Sequence, residues 1–157
     1  MLTAHLPSGY ILARLIHAGP PLLIPAAMTG AVFPDLDMLA FYFWDHGRIH
    51  HHRYWVHIPF FWAALAIFTL PLLYRTRYFY TGIVFLSAIF LHLALDSISG
   101  GIMWGAPFND TLYTIVTVPS AYDHWITSFL LHWTILFEVM IWAVAAYLAY
   151  RHFRIGT

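Results

Sequence analysis

His92 and Asp96 are the pair of side chains in this sequence that most directly indicates metal chemistry. They form the pattern H-x-x-x-D near the end of a long apolar run, and a spacing of four places both on one face of a helix. A hydrogen bond between the two side chains is the ordinary alternative for such a pair. An ionised carboxylate inside a membrane-length segment carries a large desolvation penalty, so this position favours a metal site.

A cluster of imidazoles, IHHHRYWVH over residues 49–57, opens another apolar run. Neutral imidazole is a common zinc ligand, and a turn followed by a helix start can bring His52 and His57 together. Arg53, inside the cluster, has the forked donor geometry that binds a phosphate or carboxylate of a substrate. The alternatives are a ring cluster at the level of the lipid headgroups and, for Arg53, a simple headgroup contact. Because the chain has no Cys, any metal must be held by His, Asp or Glu.

Two further carboxylates, Asp35 and Asp37, flank one apolar residue in the sequence PDLD. On a strand they would face the same way, whereas on a helix they would diverge, so a loop or a helix start is needed to bring them together. Pro-Asp is also common in turns and at helix N-caps. Alone, this pair does not decide between a metal site and a turn.

The composition indicates what must position these residues. The chain has 157 residues, of which 61% are hydrophobic and only 9% charged, and its mean hydropathy is +0.70. Soluble domains contain about 25% charged residues, so this is a membrane protein, and the length predicts a single domain over residues 1–157. Seven Arg balance seven Asp and Glu, with no Lys, so we expect no nucleic-acid partner. The N-terminus lacks the pattern of a cleaved signal peptide, and we treat it as mature sequence.

We predict an all-α, polytopic helical membrane protein with three clear transmembrane helices, at residues 56–74, 79–95 and 125–150. Before them, residues 10–33 are apolar but are interrupted by Gly19-Pro20-Pro21 and by Pro25. A single tilted span would place His5 and Asp35 on opposite faces of the membrane. We favour a broken or re-entrant pair of short helices, which returns them to the same face.

Arginines predict the orientation of the spans. The link after the first clear span carries Arg75 and Arg77, and the C-terminal tail carries Arg151 and Arg154, so both belong on the cytoplasmic side. The candidate ligands then gather at the opposite interface, where Asp123 and His124 also lie, as a single site requires. The loop over residues 97–123 is rich in Gly and Pro, and we expect it to cap the site from the outer side.

The order of these motifs resembles that of the YdjM-like bacterial membrane-bound metal-dependent hydrolases. The shared order over about the first 110 residues is His5 with Gly9-Tyr10, then G-x-x-x-P-D-x-D from Gly30 to Asp37, H-R-x-x-x-H from His52 to His57, and H-x-x-x-D followed by Gly100-Gly101 and Pro107-Phe108. Two departures are Tyr54 in place of a Gly after Arg53, and Val56-His57-Ile58 in place of a Thr-His-Ser ending. The family is distantly similar to the zinc-dependent phospholipase C and single-strand nuclease group, all-helical enzymes that cleave phosphoesters.

This resemblance implies a membrane-embedded metal-dependent hydrolase of the bacterial inner membrane, and the distribution of arginines predicts that its site faces the periplasm. It implies one to three divalent ions, zinc by expectation. The implied metal ligands are His5, Asp35, His52, His57, His92 and Asp96. Asp37 is a further implied ligand or, as the spare carboxylate, the general base or the group that orients the attacking water, and Arg53 would bind the substrate. Because the ligands gather at a membrane interface, we expect an amphiphilic substrate, with a lipid phosphoester as the first choice.

Two other kinds of protein fit parts of the pattern. A non-enzymatic metal- or haem-binding membrane protein could use His17, His92 and His132, which lie within apolar segments. A metal permease would carry ionisable residues through the whole bilayer. The ligands here are concentrated at one end, which disfavours the permease.

Overall fold

The computed structural model describes residues 1, 3–16 and 21–155, and this part of the chain is helical. Its α-helices are α1 (His5–Leu15), α2 (Leu23–Val32), α3 (Asp37–Phe43), α4 (Pro59–Leu73), α5 (Phe79–Ser99), α6 (Trp125–Leu130) and α7 (Ile135–Ile155). Short 3₁₀ turns lie at Pro34–Leu36, His51–Arg53 and Trp55–His57. Among the described residues, β structure is limited to one isolated bridge between Ile102 and Tyr113. The all-helical prediction is confirmed.

Among the described residues, two helices are long and apolar enough to cross a membrane, namely α5 and, over Ile135–Arg154, α7. The segments Leu23–Val32 and Pro34–Phe43 are bent by 49° and add a third span if they count as one. The prediction of three clear spans is therefore confirmed only in part. Helix α4 has 15 residues, about 22 Å of helix, which is less than the ~30 Å hydrocarbon core.

The predicted span over residues 125–150 is divided into α6 and α7. Between them, His132 Nδ1 lies 3.0 Å from Thr134 Oγ1 and accepts a hydrogen bond from the Thr134 backbone N–H. Local bonds of this kind compete with the helical ladder. The long final helix consequently begins at Ile135 and runs to Ile155, five residues beyond the predicted end.

The interruption predicted near the N-terminus is present, although Gly19 and Pro20 lie outside the described residues. Pro25 falls in the first turn of α2, where proline is tolerated. Helices α1 and α2 pack closely at Gly9, where a Cβ atom would lie 2.6 Å from the Ala27 carbonyl oxygen. Gly30 similarly brings α2 against α5, because a Cβ there would lie 2.4 Å from the Phe85 carbonyl oxygen. Small residues at helix crossings are the usual means of close packing in membranes.

The two ends of the helix bundle differ in chemistry. The starts of α1 and α4 and the ends of α2 and α5 carry or adjoin the candidate ligands. The opposite helix ends carry or adjoin five of the seven arginines, namely Arg14, Arg75, Arg77, Arg151 and Arg154. This arrangement agrees with the expected gathering of the ligands at one end.

The loop between α5 and α6 covers the ligand end. It is attached to α5 by backbone hydrogen bonds from Ile115 to Ser97 and from Val116 to Ile98. Gly101, Leu112 and Val118 line a cavity beside the ligands. The predicted capping role of this loop is thus visible in the structure.

Candidate metal centre

In the part of the chain that the structure describes, seven side chains offer metal-ligand atoms in two groups, and the atoms within each group lie within 4.8 Å of one another. One group is His5, Asp35, His92 and Asp96, and the other is His51, His52 and His57. All six ligands predicted from the sequence are among them, and His51 is an addition. Their coordination of a metal stays a prediction that the geometry below supports.

His92 is fully buried on α5. Its Nδ1 atom lies 2.7 Å from the Ala31 carbonyl oxygen, which can only accept, so Nδ1 carries the proton and donates. In the neutral ring the lone pair is therefore on Nε2. That atom faces Asp96 Oδ2 at 2.9 Å and Asp35 Oδ1 at 3.8 Å.

His57 is oriented in the same way by a different acceptor. Its Nδ1 atom donates to Asp37 Oδ2 at 2.8 Å, an arrangement typical of carboxylates that orient a metal-binding histidine. Its Nε2 atom then lies 3.2 Å from His92 Nε2 and 3.7 Å from Asp96 Oδ2. Asp37 itself is buried and lies outside both ligand groups.

His52 is oriented in the same way as His92 and His57. Its Nδ1 atom donates to the carbonyl oxygens of Gly101 at 2.8 Å and Gly100 at 3.1 Å, and its Nε2 atom lies 3.5 Å from Asp96 Oδ2. Burial lowers the pKa of His52 to about 2, although the Asp96 carboxylate acts in the opposite direction. The ring is therefore neutral at physiological pH, which is the form that binds a metal.

His5 reaches the other oxygen of the same carboxylate. Its Nε2 atom lies 3.1 Å from Asp96 Oδ1 and 3.0 Å from the Met1 carbonyl oxygen, and its ring stacks on His92 at a centroid distance of 3.8 Å. The amino group of Met1 also lies 2.5 Å from Asp96 Oδ1. Asp96 thus lies between His5 on one side and the His52, His57 and His92 rings on the other.

The segment before α1 is held by the last helix. Glu138, buried near the start of α7, accepts hydrogen bonds from the Thr3 backbone N–H at 2.7 Å and from its hydroxyl at 2.6 Å. The Trp142 indole N–H donates to the same hydroxyl oxygen. Glu138 therefore fixes the chain two residues before His5.

The residues present fit a divalent cation. Among the described residues, four of the five buried side-chain N and O atoms without a hydrogen-bond partner belong to this region, namely His5 Nδ1, Asp37 Oδ1, His51 Nδ1 and Asp96 Oδ2. Such orphaned atoms are rare in folded proteins. The donor set is nitrogen and oxygen without sulfur, which suits zinc and other divalent ions of intermediate hardness.

Other predicted residues lie elsewhere. Arg53 is half exposed, and its guanidinium lies 3.8 Å from the exposed carboxylate of Asp110, outside the lining of the cavity. Asp123 and His124 are exposed and are not in either ligand group. His132 bonds with Thr134, and His17 lies outside the described residues. The phosphate-binding role of Arg53 stays a prediction.

A cavity of about 670 Å³ borders the ligands. Its polar lining includes Asp35, His50, His51, His52, Thr114 and Thr117. Its apolar lining consists mainly of Met38, Phe41, Leu112, Val118, Trp125 and Phe129. The volume is within the range of about 300–1,000 Å³ typical of small-molecule sites.

The family model described as YdjM inner membrane protein matches residues 1–156. The chain belongs to this family. The match confirms the resemblance drawn from the ordered motifs and extends it through α7. No curated protein and no solved structure matches the chain.

Membership in the YdjM inner membrane family agrees with the apolar helices and with a lipid bilayer as their surroundings. Two residues of the site region were not assigned from the sequence. His51 was visible only as one of three consecutive histidines, and Glu138 only as an acidic residue in an apolar run. The run of histidines and the intramembrane carboxylate were the signals available for them.

Proposed function

We propose that this YdjM family protein is a membrane-embedded, metal-dependent hydrolase that acts on an amphiphilic substrate, with a lipid phosphoester as the scissile group. The observation that carries the proposal is the convergence of the His52, His57 and His92 Nε2 atoms on Asp96 Oδ2, beside a cavity with largely apolar walls. Zinc is the expected ion because its ligands in proteins are neutral imidazole and carboxylate when thiolate is absent.

A bound divalent ion would supply Lewis-acid chemistry, lowering the pKa of water toward about 7 and neutralising charge on the phosphoester. The chain fixes the ligand orientations before any ion arrives, because Ala31, Asp37 and Gly101 each accept the Nδ1 proton of one histidine. Such preset orientation lessens the reorganisation needed on binding.

Asp37 has two roles in this proposal. Its Oδ2 atom orients His57, while its buried Oδ1 atom has no hydrogen-bond partner. We assign Oδ1 as the general base that takes a proton from the attacking water. The water oxygen forms a bond to phosphorus, the ester P–O bond breaks, and the leaving alkoxide oxygen takes the proton that Asp37 Oδ1 received, which restores the carboxylate.

The membrane orientation follows from the arginines. Five of seven lie at the end of the bundle opposite the ligands, and positive residues favour the cytoplasmic side. The site therefore faces the periplasm in this proposal, at the level where a lipid headgroup meets its hydrocarbon chain.

The test begins with elemental analysis of the detergent-purified protein, compared with the variants His92→Ala and Asp96→Ala. The matched control is His152→Ala, because His152 is exposed near the C-terminal end of α7, remote from the ligand groups. We expect a stoichiometric divalent ion in the wild type and the control, and its loss in both site variants. Wild-type protein that binds no divalent ion even after reconstitution would overturn the proposal.

The reaction itself is tested with phosphoester substrates before and after chelation. We expect hydrolysis that chelation removes, that zinc or another divalent ion restores, and that His92→Ala lacks. A visible absorption spectrum separates the alternative of a haem protein, because a Soret band would contradict a zinc enzyme.

A further inference from the structure

We propose that the cavity beside the ligand groups is a binding site for a single hydrocarbon chain, so that the substrate is a membrane amphiphile held by its chain as well as by its headgroup. This inference rests on the proposed metal-dependent function and names the part of the substrate that the function leaves open. It depends on the lining of the cavity and on the connection between that lining and the ligands.

One wall of the cavity leads directly away from the ligands. Asp35 belongs to a ligand group and also lines the cavity. Met38 and Phe41 follow it at successive intervals of three residues, so they continue along one face of the chain where α3 is helical. The rings of Phe41 and His51 lie 6.0 Å apart between centroids. The apolar wall is therefore continuous with the polar site.

A second wall comes from α6 and the covering loop. Trp125 and Phe129 are four residues apart on α6, which places them on one face, and their ring centroids lie 6.1 Å apart. Leu112 and Val118 are contributed by the loop between α5 and α6. Both walls thus offer large apolar side chains to whatever fills the space.

The charges of the residues that line the cavity indicate which class of ligand fits it. None of the described residues that line the cavity is Arg or Lys, so an extended polyanion would meet no side-chain cation along the walls. An acidic headgroup has its partner at the proposed metal centre, where Asp35, His51 and His52 reach the cavity. A wholly polar ligand would leave the six apolar side chains against polar atoms, which is unfavourable. A ligand with one acidic headgroup and one hydrocarbon chain fits both the ligand groups and the apolar walls of the cavity.

The experiment uses the full chain in phosphatidylcholine nanodiscs, loaded with zinc, and a series of non-hydrolysable probes: ethyl-, butyl- and hexylphosphonate. Binding is followed by titration calorimetry. For the wild type, each methylene that enters the cavity should raise affinity by about three- to fourfold. The variant Val118→Trp places a large side chain in the cavity. Its affinity for the phosphonates should therefore not change with the length of their alkyl chain.

Val144→Trp is the matched control, because Val144 is exposed on α7 and does not line the cavity. The affinity of this variant should rise with alkyl chain length as it does in the wild type. Zinc content is measured for every variant, and Leu112→Trp replaces Val118→Trp if the latter has lost its metal. The inference would be overturned if affinity rose equally with chain length in the wild type and in a cavity-filling variant that retains zinc.

Turnover separates this inference from the proposed reaction. If no phosphoester is hydrolysed while chain-dependent phosphonate binding persists, the proposed hydrolysis fails and the chain site stands. If methyl and hexyl phosphoesters are hydrolysed with equal kcat/KM, the chain site fails and the hydrolase stands.

Discussion

The Nε2 atoms of His57 and His92 face each other at 3.2 Å in a site where both side chains are fully buried. Each ring donates its Nδ1 proton elsewhere, to Asp37 and to the Ala31 carbonyl respectively. When both rings are neutral, the two Nε2 lone pairs repel at this distance in surroundings of low dielectric constant, and a proton or a metal cation near both would relieve the repulsion. This relationship is a physical reason to test for a metal at this point.

The first prediction concerns metal removal. A ligand that binds only the folded state stabilises it by about 2.7 kcal/mol at a hundred times Kd, so chelation should lower the Tm by roughly 5–10 °C for a chain of this size. Addition of zinc should reverse the change. Thermal unfolding in detergent measures this, with His152→Ala responding like the wild type and His92→Ala showing little response. An identical Tm with and without chelator would contradict a bound stabilising ion.

The second prediction concerns Asp37→Asn. The substitution weakens the acceptor that orients His57, and loss of such a partner typically lowers metal affinity by about 10–100-fold. Competition with a fluorescent zinc chelator measures the change. Asp123→Asn alters an exposed carboxylate outside the ligand groups and should leave affinity unchanged. Equal affinity in the two variants would remove the orienting role from Asp37.

The third prediction concerns Gly100→Ala. A Cβ atom at this position would lie 2.3 Å from His52 Cε1, so the ring must move and its Nδ1 bond to the Gly101 carbonyl must weaken. We expect zinc content to fall below that of the wild type. Gly82→Ala is the control, because its Cβ would meet the ends of two flexible side chains, Leu73 at 2.9 Å and Leu70 at 3.7 Å. Full zinc content in Gly100→Ala would show that the His52 position is not critical.

The fourth prediction concerns Glu138→Leu. The change leaves the Thr3 N–H and hydroxyl without this acceptor, and each unsatisfied buried group costs about 1–3 kcal/mol. The Tm of metal-free protein should fall, and zinc affinity should also fall because His5 is no longer fixed. Glu138→Gln retains one acceptor oxygen and should recover part of both losses. A lower Tm with unchanged zinc affinity would limit Glu138 to a structural role.

Much of the site could be predicted because it depends on local spacing. The four-residue interval between His92 and Asp96 fixes their common face on α5, and a 3₁₀ turn places Asp35 at the end of α2. His52 was predicted from its motif, but the orientation of its ring could not be predicted. It depends on the 3₁₀ turn at His51–Arg53 and on the carbonyl of Gly101, which comes from a distant part of the chain.

The division of the final span into α6 and α7 could also not be predicted from the sequence. Residues 125–150 contain neither Gly nor Pro, so the apolar run gives no signal of a break. The break arises from the local bonds of His132 with Thr134. The length of α4 was overestimated for a related reason. The apolar run over residues 56–74 also includes part of the 3₁₀ turn at Trp55–His57 and the residue just after the helix.

The contact between Thr3 and Glu138 joins the first and last long segments of the described chain. During synthesis, α7 is the last of the helices to emerge and enter the membrane. The hydrogen bonds of Thr3 to Glu138 form only after that insertion, so a partly made chain that has α1, α2 and α5 lacks this attachment of the segment before His5. The first segment is therefore attached to α7 only after the helices that carry the candidate ligands are already present.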